Sequence, residues 1–279
     1  MPNFLGYARK SYKFHVSAIR QNRAYVRDRD AFKPHGIQIF YGEQGSGKTI
    51  TAVDFVQRVH ASYPKSILVS NVVLKNMTKL EFDGKKEKLI DLLVRGFDRS
   101  KCYIFYSSKL EYELVNVCVR NGKFGVILLT DEYQNYFSNQ DSRNVPPWVL
   151  EQSAQNRKQA RLHVCTSQDF DQVAKPTRRR SDLAFKCRTY AIPFVSHGPI
   201  FTVYWAYDAK KLDFDNNGQQ NRLKPRRIGF YFHSQALRDS FDTYQVVFTG
   251  ETSQGVYQYQ QPVTNIENSI TLLSRNRHK

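Results

Sequence analysis

The stretch IQIFYGEQGSGKTITAVDFVQRVHASY (37–63) decides the fold. Its first five residues, Ile37 to Tyr41, form a short apolar run of the kind that makes a buried strand. From Thr49 onward, Ile50, Val53, Phe55, Val56 and Val59 recur at helical spacing, and Pro64 closes the pattern. Between them lies GEQGSGKT (42–49), which matches G-x-x-x-x-G-K-[ST], the Walker A or P-loop pattern. The order strand, glycine-rich loop, helix is what gives the motif its meaning. The loop backbone of Gly42, Glu43, Gln44, Gly45, Ser46 and Gly47 can turn its amides toward phosphates, and the helix N-terminus adds partial positive charge. Lys48 is expected to reach the β- and γ-phosphates and Thr49 to bind Mg²⁺, so ATP and Mg²⁺ are the expected ligands.

Working outward, further apolar runs repeat the alternation of strand and helix. SILVSNVVL (66–74), FGVILLT (124–130) and RLHVCTS (161–167) read as buried strands, and KLIDLLVRGF (88–97) as a helix. SSKLEYELVNVCVRNG (107–122) reads as a second helix with Leu110, Leu114, Val117 and Cys118 on one face, stopped at Asn121-Gly122. Continuous apolar strands without alternation fit a mostly parallel sheet covered by helices on both faces. The expectation is an α/β P-loop NTPase core over 36–190. A basic segment precedes it at 1–35, a β-rich C-terminal elaboration spans 191–250, and a flexible tail fills 251–279. Beyond about 185 the texture changes: FKCRTYAIPF (185–194) and IFTVYWAYDA (200–209) read as a hairpin, and GFYFHS (229–234) and YQVVFTG (244–250) as further strands.

VILLTDEYQ (126–134) ends an apolar strand in two adjacent carboxylates, the form of a Walker B element. Asp131 is expected to hold Mg²⁺ through water, and Glu132 to polarise the attacking water. The acid pair favours water as the acceptor over a small-molecule phosphotransfer. Gln168, at the end of the strand RLHVCTSQ, is a candidate γ-phosphate sensor. Arg157 ahead of that strand and Arg178 after it are candidate arginine fingers, each with the simpler alternative of a DNA contact or a solvated charge.

Lys and Arg number 42 against 25 Asp and Glu, a formal net charge of +17. Such a charge points to a polyanionic partner, with DNA of unspecified strandedness leading and an anionic membrane surface as the rival. Cys102, Cys118, Cys165 and Cys187 are far apart and make no metal-ligand pattern, so reduced thiols in a cytoplasmic protein are expected. The segment MPNFLGYARKSYKF lacks the apolar core of a signal peptide, and no apolar run approaches the ~20 residues that span a bilayer. Contact with a membrane periphery or a virion remains compatible with that.

Taken together, GEQGSGKT, VILLTDEYQNYF and QNRKQARLHVCTSQDFDQV resemble the FtsK/HerA division of P-loop ATPases, and most closely the Zot-like (zonular occludens toxin domain) phage assembly and DNA-packaging ATPases. FYFHSQALRDSFDTYQVV (230–247) resembles a stretch common near the end of these domains. The resemblance covers roughly 36–190 and implies a RecA/FtsK-like fold and a homo-oligomeric ring with a membrane or capsid protein as a further partner. It also implies a strand ending in Thr166-Ser167-Gln168, with Arg157 on a helix before it and Arg178 in a loop after it. Family members generally carry a transmembrane helix, and this sequence shows none. The expected function is a DNA-translocating ATPase of a virus or mobile element. The rivals are a nucleotide-switch adaptor or scaffold with slow hydrolysis and a RecA-like replication helicase.

Overall fold

The computed structural model describes residues 28–82, 98–140, 145–191, 201–212, 221 and 223–242. The basic segment 1–27, the helix expected at 88–97, the hairpin turn near 195–199, the strand expected at 244–250 and the tail 251–279 lie outside the described residues.

The decisive stretch folds as expected: β1 is Gly36–Tyr41 and α1 is Lys48–Ser62. The chain continues through β2 (Ile67–Ser70), β3 (Thr78–Glu81), β4 (Cys102–Phe105), α2 (Lys109–Cys118), β5 (Val126–Thr130), α3 (Pro147–Ala154) and β6 (Arg161–Ser167). The last described elements are α4 (Lys175–Arg180), β7 (Ser181–Tyr190), β8 (Phe201–Asp208), β9 (Arg227–Phe232) and α5 (Gln235–Arg238). Among the described residues the nine strands belong to one sheet in the order β3-β4-β2-β5-β6-β1-β7-β8-β9. Every pairing from β3 to β7 is parallel, and β7–β8 and β8–β9 are antiparallel. The β-rich C-terminal strands therefore extend the same sheet that carries the P-loop.

The sheet buries both faces, which is why its central strands read as unbroken apolar runs. On one face Ala52, Val53 and Val56 of α1 pack on Phe40, Leu68, Ile127, Leu129 and Val164. On the other, Tyr112 and Val115 of α2 and Val149 of α3 pack on Ile37, Ile39, Val69, Val126 and Leu128.

Several expectations are corrected. The strand expected at 66–74 stops at Ser70: the Asn71 N–H makes a last bond to the Leu129 carbonyl, and the chain then turns, with the Val72 N–H donating to Ser70 Oγ. α2 does not bury the face of Leu110 and Val117, which are 56% and 45% exposed; it buries Tyr112, Val115 and Asn116. Tyr112 wins because its ring packs among Tyr106, Tyr133, Tyr136 and Phe137, a larger apolar contact than a leucine makes. A capping box between Ser108 and Glu111 starts that helix. Arg157 is not helical: α3 ends at Ala154, and residues 155–160 form turns before β6. Arg178 lies in the short helix α4, not in a loop.

Candidate nucleotide-binding and hydrolysis site

Because β6 separates β1 from β5, the P-loop and the acid pair emerge one strand apart at the same end of the sheet. Ligands in open α/β sheets bind at this C-terminal end of the strands. The loop is anchored there by the Gly42 N–H, which donates to the Gln168 carbonyl at 3.1 Å. Gly47 caps α1 at φ +80°, a left-handed conformation that glycine tolerates, and a Cβ at this position would collide with the hydroxyls of Thr189 and Thr202. No side chain caps the helix, so its first amides are available to an anion. Ser46 Oγ in the same loop is buried with no hydrogen-bond partner in the protein.

Two contacts join the loop to the acids. Lys48, only 7% exposed, places Nζ 3.3 Å from Glu132 Oε1. Thr49 Oγ1 donates to Asp131 Oδ1 at 2.9 Å. These four residues were singled out by motif alone, 82 positions separating Thr49 from Asp131, and the fold brings them together.

The acids are held by residues to which motif reading gave no such role, Thr166 having been named only as part of a strand end. Thr166 on β6 donates its hydroxyl to Asp131 Oδ1 and accepts the Glu132 N–H at 2.9 Å. Asn71, 1% exposed at the end of β2, brackets the Asp131 backbone from the other side. Gln134 donates to Glu132 Oε2. Glu132 itself has a left-handed backbone, φ 50°, which lets the chain turn sharply after β5 and aim its carboxylate at Lys48. A pattern of an apolar strand followed by a polar residue, as at Ser70-Asn71, was the one available signal for Asn71.

Burial is the largest influence on the Asp131 carboxyl and pushes it above the usual carboxylate range. The Thr166 hydrogen bond opposes that, the neighbouring Glu132 charge reinforces it, and the Thr49 hydroxyl and Lys48 charge oppose it further. A divalent cation would reverse the balance by favouring the ionised form. Beneath the site, His163 Nε2 meets Thr130 Oγ1 at 2.9 Å, and burial first, then the Arg161 charge, hold the imidazole down to about 3.

A Mg²⁺ ion fits this arrangement. A Thr hydroxyl and an Asp carboxylate oxygen already lie within contact of each other, and such hard oxygen donors with phosphate and water are how Mg²⁺ is usually held. Among the described residues no group of three or more His, Cys, Asp or Glu forms a metal cage.

Gln168 meets the P-loop through its backbone carbonyl, while Arg157 and Arg178 lie on other segments. The Gln168 side chain is exposed, and the β6 residue touching the acids is Thr166. Arg157 is exposed in the turn before β6. Arg178 is tied to its own chain by Asp171 at 2.7 Å and lies over the Phe170 ring. The four cysteines are free thiols, with burial raising Cys165 well above its ordinary value and Cys187 to about 12. No described helix is long and apolar enough to cross a membrane.

A family model described as zonular occludens toxin (Zot) matches residues 36–231. None of the curated proteins matches the sequence. Among solved structures, the N-terminal domain of zonular occludens toxin from Neisseria meningitidis aligns with 74% of this chain and 98% of its own at 13% identity and a TM-score of 0.46. The genome packaging NTPase B204 from Sulfolobus turreted icosahedral virus 2, in complex with ATP-gammaS, aligns with 69% of this chain and 98% of its own at 13% identity and a TM-score of 0.46. B204 described as the DNA-packaging ATPase from Sulfolobus turreted icosahedral virus aligns with 70% and 100% at 15% identity and a TM-score of 0.43.

Proposed function

The chain belongs to the zonular occludens toxin (Zot) family, and from that premise we propose that it is an ATP-hydrolysing motor that moves DNA during viral genome packaging, export or virion assembly. The observation that carries this reading is the convergence of Lys48 with Glu132 and of Thr49 with Asp131 at the strand ends. The loop amides and Lys48 bind and orient the triphosphate. Thr49 and Asp131 would hold a Mg²⁺ ion, which would supply charge neutralisation at the phosphates. A phosphate placed at Lys48 competes with Glu132 for the ammonium, and Glu132 is then the carboxylate that takes a proton from the attacking water. Thr166, Asn71 and Gln134 keep the two acids at their separate tasks.

The charge of +17 supports a DNA partner, and an oligomeric ring in the host cytoplasm, recruited to a capsid or membrane protein, is the form in which such a motor would act. Steady-state phosphate release with and without DNA tests the proposal. A motor shows Mg²⁺-dependent turnover that DNA stimulates, whereas turnover indifferent to DNA supports a nucleotide switch instead.

A further inference from the structure

β1 ends at Tyr41, whose register partner on β7 is Lys186, while β7 runs on to Tyr190 alongside the P-loop. β8 lies antiparallel beside it and pairs Trp205 with Lys186 and Tyr207 with Ala184. Directly paired residues share a face of the sheet, and positions two apart on a strand do too, so Lys186, Arg188, Trp205 and Tyr207 project from the same side. Between that face and the outer wall of the loop lies a cavity of about 440 Å³, lined by Gly42, Glu43, Ser46, Arg188, Trp205 and Tyr207 among others. That size falls within the range of small-molecule sites, and aromatic walls with a few polar groups are their usual composition.

The position of this cavity follows from the sheet order. The residues assigned to the terminal phosphate, the metal and the attacking water, Lys48, Thr49, Asp131 and Glu132, gather on the β5–β6 side of β1, and β7 and β8 lie on the other side. A nucleoside triphosphate laid across the loop with its terminal phosphate at Lys48 therefore leaves the loop, base first, over β7 and β8. Ser46 Oγ, buried and without a protein partner, belongs to a residue that lines this cavity and offers a hydrogen bond to the ligand.

We propose that this cavity is the nucleobase subsite, in which the purine ring of the bound nucleotide stacks on the Trp205 indole, Tyr207 closes the inner wall and the Arg188 guanidinium lies at the rim. The inference rests on the P-loop reading above and goes beyond it by assigning the base to residues outside any motif.

The test compares ATP with inorganic tripolyphosphate, which shares the phosphates and lacks the base. The chain has two tryptophans, so a Trp148→Phe background leaves Trp205 as the sole indole. ATP should change its fluorescence and tripolyphosphate should not. Trp205→Ala should weaken ATP binding ~10-fold or more while leaving tripolyphosphate within about twofold, and Trp205→Phe should restore most of the loss. Arg188→Ala, at an exposed position, should shift ATP alone in the same direction and keeps the test available if Trp205→Ala does not fold. Equal loss for both ligands, or ATP binding unmoved by these variants, would overturn the subsite and leave the P-loop reading standing. A wild-type chain that binds neither ligand would overturn the P-loop reading, and the subsite with it.

Discussion

Asn71 and Asp131 exchange two hydrogen bonds: Asn71 Nδ2 donates to the Asp131 carbonyl at 3.0 Å, and the Asp131 N–H donates to Asn71 Oδ1 at 2.7 Å. The pair fixes the backbone at the point where β5 hands over to the catalytic turn, so its effect on catalysis should be positional. Asn71→Ala strands the Asp131 amide near the core, a loss of the kind that costs about 1–3 kcal/mol. The expected result is kcat lowered ~10- to 100-fold with ATP KM little changed and a lower melting temperature, read by steady-state kinetics and calorimetry. A KM effect alone would place Asn71 in binding.

Lys48→Ala and Glu132→Gln should fail differently although the two side chains touch. In the proposed mechanism Lys48 serves the phosphates before and during the reaction, so its loss should raise the ATP Kd. Glu132→Gln keeps the shape and a donor toward the phosphate but removes the base, so ATP should bind while turnover falls ~10²-fold or more. Nucleotide binding by calorimetry alongside phosphate release separates the two. Normal turnover in Glu132→Gln would remove it as the base.

The P-loop, β1, α1 and the acid pair were legible because each depends on a local pattern: an apolar run, glycines before a helix, adjacent carboxylates after a strand. The contacts of Asn71 and Thr166 with the acids were not, because they come from strand order, and nothing in the chain announces that β2 and β6 flank β5; Gln134 lies two residues from Glu132, and no motif marks that local contact. The same holds for β3 and β4, short strands whose residues TKLE and CYIF carry no periodic signal. The misread face of α2 has a further cause: counting aliphatic residues undervalues Tyr112, whose ring is buried in an aromatic cluster while Leu110 is exposed. Trp205 and Tyr207 read as ordinary strand aromatics until the register set them beside the loop.

Stability should fall as pH drops from about 6.5 toward 3, through a group with no catalytic part. His163 is held neutral to about 3 by burial, whereas its unfolded counterpart takes a proton near 6.5. In that window the unfolded chain binds the extra proton, so the His163 contribution is fully present above the window and is lost progressively on acidification. Buried His60, also lowered mainly by burial, acts in the same direction. His163→Gln, which can keep a hydrogen bond to Thr130, should show a shallower slope of unfolding free energy against pH over this range, by denaturant titration. An unchanged slope would assign the acid loss to other groups.

DNA affinity should fall steeply with salt, since each phosphate neutralised by Lys or Arg releases counterions and adds about −0.9 to the log–log slope on duplex. Fluorescence anisotropy at several salt concentrations measures it. A slope near zero would redirect the +17 charge toward another partner, such as an anionic lipid surface.

In the proposed ring an arginine finger should act in trans, and the surroundings of the two candidates lead to different expectations. Arg178 is committed to its own chain: Asp171 holds its guanidinium at 2.7 Å, Phe170 lies beneath it, and its side chain is 18% exposed. Moving it to a neighbour's phosphate would break a charged hydrogen bond that the chain already makes. Arg157 sits exposed in the turn that delivers the chain into β6, where a guanidinium can leave its own subunit at little cost. Arg157→Ala should therefore bind ATP and DNA normally and lose hydrolysis by ~10³-fold or more, while Arg178→Ala should chiefly lower thermal stability. Mixing decides the geometry. When Arg157→Ala is combined with Lys48→Ala, some interfaces pair an intact P-loop with an intact arginine, so ATPase activity should partly return. A cis arginine gives no rescue at any ratio, and a monomer with full activity would remove the ring altogether.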